Sequence, residues 1–255
     1  MEIERIPALS DNYLWLVHEP EGGVTAVVDP AEPEPVMAAL GRRGWKLTHI
    51  LNTHHHPDHV GANLELKRRT GCTIVGPRAD RDRIPGIDVH VGEGDRYPFG
   101  HTSAAVFDVP GHTRGHIAYW FEAEQALFCG DTLFALGCGR LFEGTPEQMW
   151  ASLSKLRNLP PVTKVYCAHE YTQSNGRFAL SVEPDNFSLI ARMLRVDAAR
   201  ERGEATVPST LIEELATNPF LRPESESLQR TLGMIGADPV AVFAETRRRK
   251  DSFRG

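Results

Sequence analysis

The sequence lacks any hydrophobic run long enough to cross a membrane. A transmembrane helix needs about 20 consecutive apolar residues, and no stretch approaches that length. Residues 1–5 are mostly charged and do not provide the continuous apolar core of a secretory signal. These two absences predict a cytoplasmic protein with no membrane partner.

Cysteine is scarce, and a basic excess is missing. Cys72, Cys129, Cys138 and Cys167 form no C-x-x-C pair and no regular spacing, which predicts buried reduced thiols rather than a disulfide framework. The formal net charge is −6. Since nucleic-acid-binding proteins usually carry a basic excess, we expect no nucleic-acid partner. A small anionic substrate is not excluded, because local charge can oppose the net charge.

The remaining composition is that of an ordinary globular protein, with 41% hydrophobic and 24% charged residues among 255. Runs rich in Val, Ile and aromatic residues predict strands in the first two thirds of the chain. These runs are residues 24–28, 47–51, 73–75, 104–109, 117–121, 126–129 and 164–168. Helices are predicted between them at 35–43, 60–69 and 146–158, and a capping box of Thr145 and Gln148 begins the last.

After about residue 170 the predicted strands end and only helices follow. The predicted helices cover residues 186–200, 211–217, 224–235 and 239–250. We therefore predict a boundary near residue 170, between a mixed region at 1–170 and a helical region at 171–255.

The most informative segment follows the predicted strand 47–51. It contains the pattern H-x-H-x-D-H, formed by His54, His56, Asp58 and His59. Residues two apart in an extended chain point to the same side, so His54 and His56 can converge on one ion. A catalytic tetrahedral site keeps about three protein ligands and one open position. Four donors within six residues are too crowded for that arrangement and favour two ions.

Three further donors come directly after predicted strands: His112, Asp131 and His169. Seven candidates suit two ions, with Asp131 bridging them. Imidazole and carboxylate accept zinc, manganese or iron. The other histidines, including His55 and His116 beside the candidates, are assigned to structure or solvent.

A two-ion site predicts hydrolysis. Two ions about 3.5–4 Å apart can share a water and lower its pKa toward 7, and their charge stabilises a tetrahedral oxyanion. No serine nucleophile is then needed, and the G-x-S-x-G motif of serine hydrolases is absent.

The order of these ligands resembles that of the metallo-β-lactamase superfamily. The resemblance implies an α+β fold, a four-layer αββα sandwich with the site at one edge of its two sheets. Longer stretches resemble glyoxalase II, the hydroxyacylglutathione hydrolases, nearly from end to end. These stretches are residues 11–13, 130–134, 137–144, 165–171, 218–222 and 247–253. This implies a catalytic domain at 1–170 and a helical substrate-binding domain at 171–255.

The resemblance also implies roles for the candidate ligands. His54, His56 and His112 would bind one ion, and Asp58, His59 and His169 the other. Asp131 would bridge them, and Asp58 and Asp131 would be the catalytic carboxylates. The two divalent ions would be zinc by preference, with iron or manganese as alternatives.

The implied substrate is an S-(2-hydroxyacyl)glutathione thioester, typically S-D-lactoylglutathione formed during methylglyoxal detoxification. Its glutathione part would be bound by Arg140, Phe142, Tyr171, Arg247 and Lys250. Phe142 stands where the animal-type enzymes have tyrosine, so one hydrogen bond of about 0.5–1.5 kcal/mol is missing. The family further implies a monomer.

Two other functions compete with this hydrolase. One is a single-iron glutathione persulfide dioxygenase of the same superfamily, and the other is a non-catalytic metal-binding protein. The number of ions per chain distinguishes the dioxygenase from the hydrolase. Thioester turnover distinguishes the non-catalytic protein from the hydrolase.

Overall fold

The computed structural model describes residues 1–254, which form two facing six-stranded sheets with helices on their outer sides. Sheet 1 has the order β1 (Glu2–Ala8), β2 (Asn12–Glu19), β3 (Val24–Val28), β4 (His49–Leu51), β5 (Thr73–Pro77) and β6 (Val89–Val91). Strands β1, β2 and β3 pair antiparallel, and β4, β5 and β6 continue the sheet from β3 in parallel pairs. Between these strands lie α1 (Pro33–Arg43), α2 (Pro57–Val60) and α3 (Asn63–Thr70).

Sheet 2 is built from the second half of the chain, in the order β14, β13, β10, β9, β8, β7. These strands are β7 (Arg96–Phe99), β8 (Thr102–Asp108), β9 (Ile117–Phe121), β10 (Ala126–Gly130), β13 (Lys164–Cys167) and β14 (Ser209–Thr210). A small hairpin of β11 (Leu133–Phe134) and β12 (Gly137–Cys138) stands apart from both sheets. The helices of this half are α4 (Pro146–Arg157), α5 (Thr172–Val182), α6 (Phe187–Glu201), α7 (Leu211–Thr217), α8 (Glu226–Leu232) and α9 (Pro239–Ser252).

Strands β2 to β5 of sheet 1 are buried on both faces, which explains their nearly continuous apolar sequence. In β2, Trp15 and Val17 join the core between the sheets, whereas Leu14 and Leu16 face the core under α1 and α3. This alternation follows from the two-residue period of a strand. The sheets therefore pack against each other and are covered by helices outside, which is the predicted αββα sandwich.

Several sequence predictions need correction. The strands do not end at residue 170, because β14 pairs with β13 across the predicted boundary. The single helix predicted at 60–69 is two helices, α2 and α3. The missed elements are helix α5 and strands β1, β2, β6, β7, β11, β12 and β14. The division of the chain at residue 170 stays a prediction.

Two other expectations, the capping box and the reduced buried thiols, are confirmed. The capping box of Thr145 and Gln148 begins α4 as predicted. The four cysteines are free and buried. Among residues 1–254, no helix combines the length and apolar character that crossing a membrane requires.

Candidate metal centre

The seven predicted ligands come together at one edge of the sandwich, where four strands end. The segment after β4 supplies His54, His56, Asp58 and His59. The segments after β8, β10 and β13 supply His112, Asp131 and His169. Pro57 begins α2, so the chain turns into a helix within the motif, and Asp58 and His59 lie in the first turn of that helix.

Gly130 lets the end of β10 approach this segment closely. Its φ is +48°, and a side chain there would collide with Thr53 and His116. Glycine is the residue that adopts this conformation without steric cost. It places Asp131 directly beside the histidines.

Three histidines form a first cluster. His54 Nε2 and His112 Nε2 each lie 3.1 Å from His56 Nδ1. Burial, with the neighbouring histidines, lowers the pKa of His54 well below its usual value, and burial and His112 lower that of His56 to about 4. The imidazoles are therefore neutral, which is the form that binds a metal ion.

Asp58, His59 and His169 form a second cluster. Asp58 Oδ2 lies 3.4 Å from His59 Nε2 and 3.5 Å from His169 Nε2. Burial alone would raise the pKa of Asp58, but His59 and the hydrogen bond from Asn12 outweigh it and hold the pKa well below the usual range. The carboxylate is thus ionised at any neutral pH.

Asp131 lies between the two clusters. Its Oδ2 is 3.4 Å from His112 Nε2 in the first cluster. Its Oδ1 is 3.4 Å from His59 Nε2 and 3.5 Å from His169 Nε2 in the second. One carboxylate therefore presents one oxygen to each set of donors.

The donor atoms fit bound cations. His59 Nε2 and Asp131 Oδ1 are buried and have no hydrogen-bond partner, an arrangement that costs free energy unless another group satisfies these atoms. Burial would lower the pKa of His59, but the charges of Asp131 and Asp29 raise it above its usual value. The negative charge that would attract a proton here would equally attract a metal ion.

The ligand histidines are oriented by polar partners on their other ring nitrogen. His112 Nδ1 donates to the carbonyl oxygen of Arg140 at 2.9 Å, and His169 Nδ1 donates to Asp11 Oδ1 at 2.7 Å. Such partners fix the tautomer and leave Nε2 free to bind an ion.

Thr53 and Asp29 do the same for His54, and Asp29 also lies beside His59. Thr53 Oγ1 donates to Asp29 Oδ2 at 2.7 Å and can therefore accept from His54 Nδ1 at 3.0 Å. His59 Nδ1 lies 3.1 Å from Asp29 Oδ2.

The sequence interpretation missed these orienting residues. Asp29 directly follows strand β3, so the rule that found Asp131 would also have found it. Asp11 and Asn12 lie in a stretch quoted for the family resemblance, but only their contacts reveal what they do. His116 keeps its structural assignment: its Nε2 accepts from the backbone N–H of Asp131 at 3.1 Å. His55 points away from the first cluster, toward Asp80.

A cleft of about 460 Å³ opens from the metal centre. All five predicted glutathione contacts line it: Arg140, Phe142, Tyr171, Arg247 and Lys250. Ser174, Asn175 and Phe253 also line it and were not predicted. The cleft thus joins the metal centre to the C-terminal helices.

Two of these five side chains contact the histidine clusters. The Tyr171 ring stacks on His169 with ring centroids 4.7 Å apart. Phe142 is 62% exposed, and its ring lies 5.2 Å from that of His112. Both aromatic side chains therefore stand where the cleft meets the metal centre.

The cationic side chains of the cleft differ in burial and in whether they already have hydrogen-bond or ion-pair partners. Arg247 is buried, donates to the carbonyl oxygen of Cys138 at 2.9 Å and pairs with Asp251 at 2.8 Å. Arg140 is exposed. Burial, followed by the charges of neighbouring arginines, lowers the pKa of Lys250 to about 8.

Comparison with known proteins agrees with this geometry. A family model described as the metallo-beta-lactamase superfamily matches residues 10–169, and one described as hydroxyacylglutathione hydrolase C-terminus matches residues 170–253. A hydroxyacylglutathione hydrolase of Methylococcus capsulatus (strain Bath) is 64% identical over 255 residues, with all of both chains covered. The chain belongs to the hydroxyacylglutathione hydrolase family. The resemblance inferred from the sequence is confirmed.

Solved structures agree on the fold. ETHE1 from Myxococcus xanthus has a TM-score of 0.68 at 23% identity, covering 99% of this chain and 100% of that one. TTHA1623, solved in a di-iron-bound form, has a TM-score of 0.55 at 30% identity and covers 66% of this chain and 92% of that one. The predicted metallo-β-lactamase fold with a helical C-terminal region is confirmed for this member of the hydroxyacylglutathione hydrolase family.

Proposed function

We propose that the chain hydrolyses S-(2-hydroxyacyl)glutathione thioesters, typically S-D-lactoylglutathione, to a 2-hydroxy acid and glutathione, as a step in methylglyoxal detoxification. The observation that carries the proposal is the position of Asp131, with one oxygen toward each donor cluster, at the end of a cation-lined cleft. Full-length similarity to hydroxyacylglutathione hydrolases favours this reaction over the persulfide dioxygenase and the non-catalytic protein.

Two divalent ions are proposed, one held by His54, His56 and His112 and one by Asp58, His59 and His169, with Asp131 shared. Zinc is the first choice, and iron and manganese suit the same donors. When bound, the ions would supply a hydroxide nucleophile near neutral pH and polarise the thioester carbonyl.

The protein's own residues orient the ligand histidines and balance the charge of the ions. Asp11, Asp29, Thr53 and the carbonyl of Arg140 hold the histidines in the tautomer that frees the ligand nitrogens. Asp58 and Asp131 keep two negative charges beside the reacting carbon and balance the charge of the ions. No residue needs to protonate the leaving group, because a thiol with a pKa near 8.5 leaves readily as thiolate.

The glutathione part would lie along the cleft. Its carboxylates would be bound by Arg140, Arg247 and Lys250, and Tyr171 and Phe142 would flank the thioester beside the metal centre. Since Phe142 has no hydroxyl, it can contribute only apolar contact. We further propose a cytoplasmic monomer, in keeping with the four free thiols, which persist in reducing compartments.

The direct test is thiol release from S-D-lactoylglutathione by the purified, metal-loaded protein, with a chelated sample as control. Rapid release that stops on chelation is the expected result. Protein that carries metal but releases no thiol would contradict the proposed substrate.

A further inference from the structure

A charged cluster lies behind the first histidine cluster and takes no part in the mechanism above. It consists of Asp80, Arg83 and Glu143, and we name it the Arg83 cluster. The Arg83 guanidinium donates to Asp80 Oδ1 through Nε at 3.2 Å and to Glu143 Oε2 through NH2 at 3.1 Å. Its NH1 donates to Glu143 Oε1 as well. One guanidinium therefore holds two carboxylates from distant parts of the chain, and Asp80 is only 2% exposed.

The Arg83 cluster also fixes His55, the residue between two metal ligands. His55 Nε2 lies 3.2 Å from Arg83 NH1, and His55 Nδ1 lies 3.1 Å from Asp80 Oδ2. Because a guanidinium can only donate, Nε2 accepts and Nδ1 donates to the carboxylate. Both ring nitrogens are satisfied away from the ions.

On its other side the Arg83 cluster holds the rim of the cleft, residues 140–143. Glu143 ends this rim segment, and its Oε2 also accepts from the backbone N–H of Arg114 at 2.8 Å. Arg140 at the other end accepts the hydrogen bond of His112. The Phe142 ring between them lies 5.2 Å from the ring of His112 and 5.9 Å from that of His56.

We propose that Arg83 is a positioning residue: by binding Asp80 and Glu143 together, it holds the rim segment over the first histidine cluster and sets the affinity for the glutathione thioester. This rests on the proposed function, in which Arg140 and Phe142 contact the substrate. Without Arg83 the Glu143 carboxylate keeps the hydrogen bond from the backbone N–H of Arg114, but the rim loses its link through Arg83 to Asp80. His54, His112 and His169 keep their own orienting partners, so binding is affected more than turnover.

The test compares Arg83→Met and Arg83→Lys with a matched control, Arg222→Met. Arg222 resembles Arg83 in exposure, with 27% against 33% of the side chain exposed, and it also binds a fully buried carboxylate, Glu183. Arg222 does not line the cleft. The Arg222→Met variant therefore measures how activity changes when a buried carboxylate outside the cleft loses its cationic partner.

Arg83→Met is expected to raise KM for S-D-lactoylglutathione about tenfold. Loss of an orienting partner typically changes affinity or activity by about 10- to 100-fold, and the expected value is the lower limit of this range. Its kcat at saturating metal and its metal content should stay within about twofold of the parent values. Arg83→Lys should recover only part of the loss, since one ammonium cannot bind two carboxylates in a fork geometry. Calorimetric binding of the product glutathione should weaken in parallel with KM.

Three outcomes would overturn the positioning role. The first is an unchanged KM in Arg83→Met. The second is an equal rise in KM in Arg222→Met. The third is a fall in the kcat and metal content of Arg83→Met together with the rise in its KM. Failure of the unmodified protein to cleave the thioester would instead refute the proposed function, and glutathione binding would then still report on the rim.

Discussion

Lys250 offers a prediction in which pH itself is the perturbation. Its Nζ lies 3.3 Å from the carbonyl oxygen of Ser174 and close to the rings of Phe178 and Phe253. Burial lowers the pKa of this ammonium from 10.5 to about 8. The side chain therefore loses its charge within the range in which the enzyme can be assayed.

The charged groups around Lys250 add to the effect of burial. Arg247, Arg140 and Arg177 lower its pKa further, and Asp251 opposes them. A lowered pKa means that the ammonium is present below about pH 8 and lost above it. If the ammonium binds a glutathione carboxylate, kcat/KM should fall above pH 8 by up to about tenfold per pH unit.

The size of the effect follows from one charge-assisted hydrogen bond. Such a bond contributes about 1.5–3 kcal/mol, which corresponds to about a tenfold to hundredfold change in affinity. Lys250→Met should therefore lower kcat/KM at pH 7 by that factor, mainly through KM. It should also remove the decline above pH 8, because no titrating cation is left.

The assay is kcat/KM for S-D-lactoylglutathione between about pH 6 and pH 10, since this ratio reports groups of the free enzyme. Arg248→Met is the matched control, because Arg248 is an exposed cation on the same helix and pairs with Glu245. An unchanged pH profile in Lys250→Met, or no inflection near pH 8 in the parent protein, would refute the reasoning.

Three further predictions concern stability and metal binding. Arg192→Met should cost about 3–5 kcal/mol in the free energy of unfolding measured with urea, because fully buried Glu214 loses its cation; a loss below about 1 kcal/mol would contradict this. Gly130→Ala should lower the melting temperature through about 1–3 kcal/mol of backbone strain at φ +48°, and an unchanged melting curve would disprove the strain. Asp11→Asn should weaken metal affinity about 10- to 100-fold in competition with a chelator, because His169 loses its orienting carboxylate; equal affinity would show that Asp11 is dispensable.

The sequence predicted which side chains meet at the candidate site better than it predicted the fold elements. His54, His56 and Asp58 share one short segment, and His112 and Asp131 directly follow apolar runs, so local pattern was enough to group them. Strand β1 was missed because it lies at an edge of sheet 1 and is only partly buried, with charged residues at Glu2, Glu4 and Arg5.

What local pattern could not predict depends on contacts between distant residues. The pairing of β14 with β13 brings residues 209–210 next to 164–165. Asp11 reaches His169 across 158 positions of the chain. No periodicity or spacing within a single segment records such a contact.

The central claim is that two ions act together in one site with Asp131 between them. It is tested most directly by titrating metal-free protein with zinc while following thiol release from S-D-lactoylglutathione. Activity is expected to rise until two equivalents are bound and not to develop in Asp131→Ala. Full activity at one equivalent, or activity in Asp131→Ala, would contradict it.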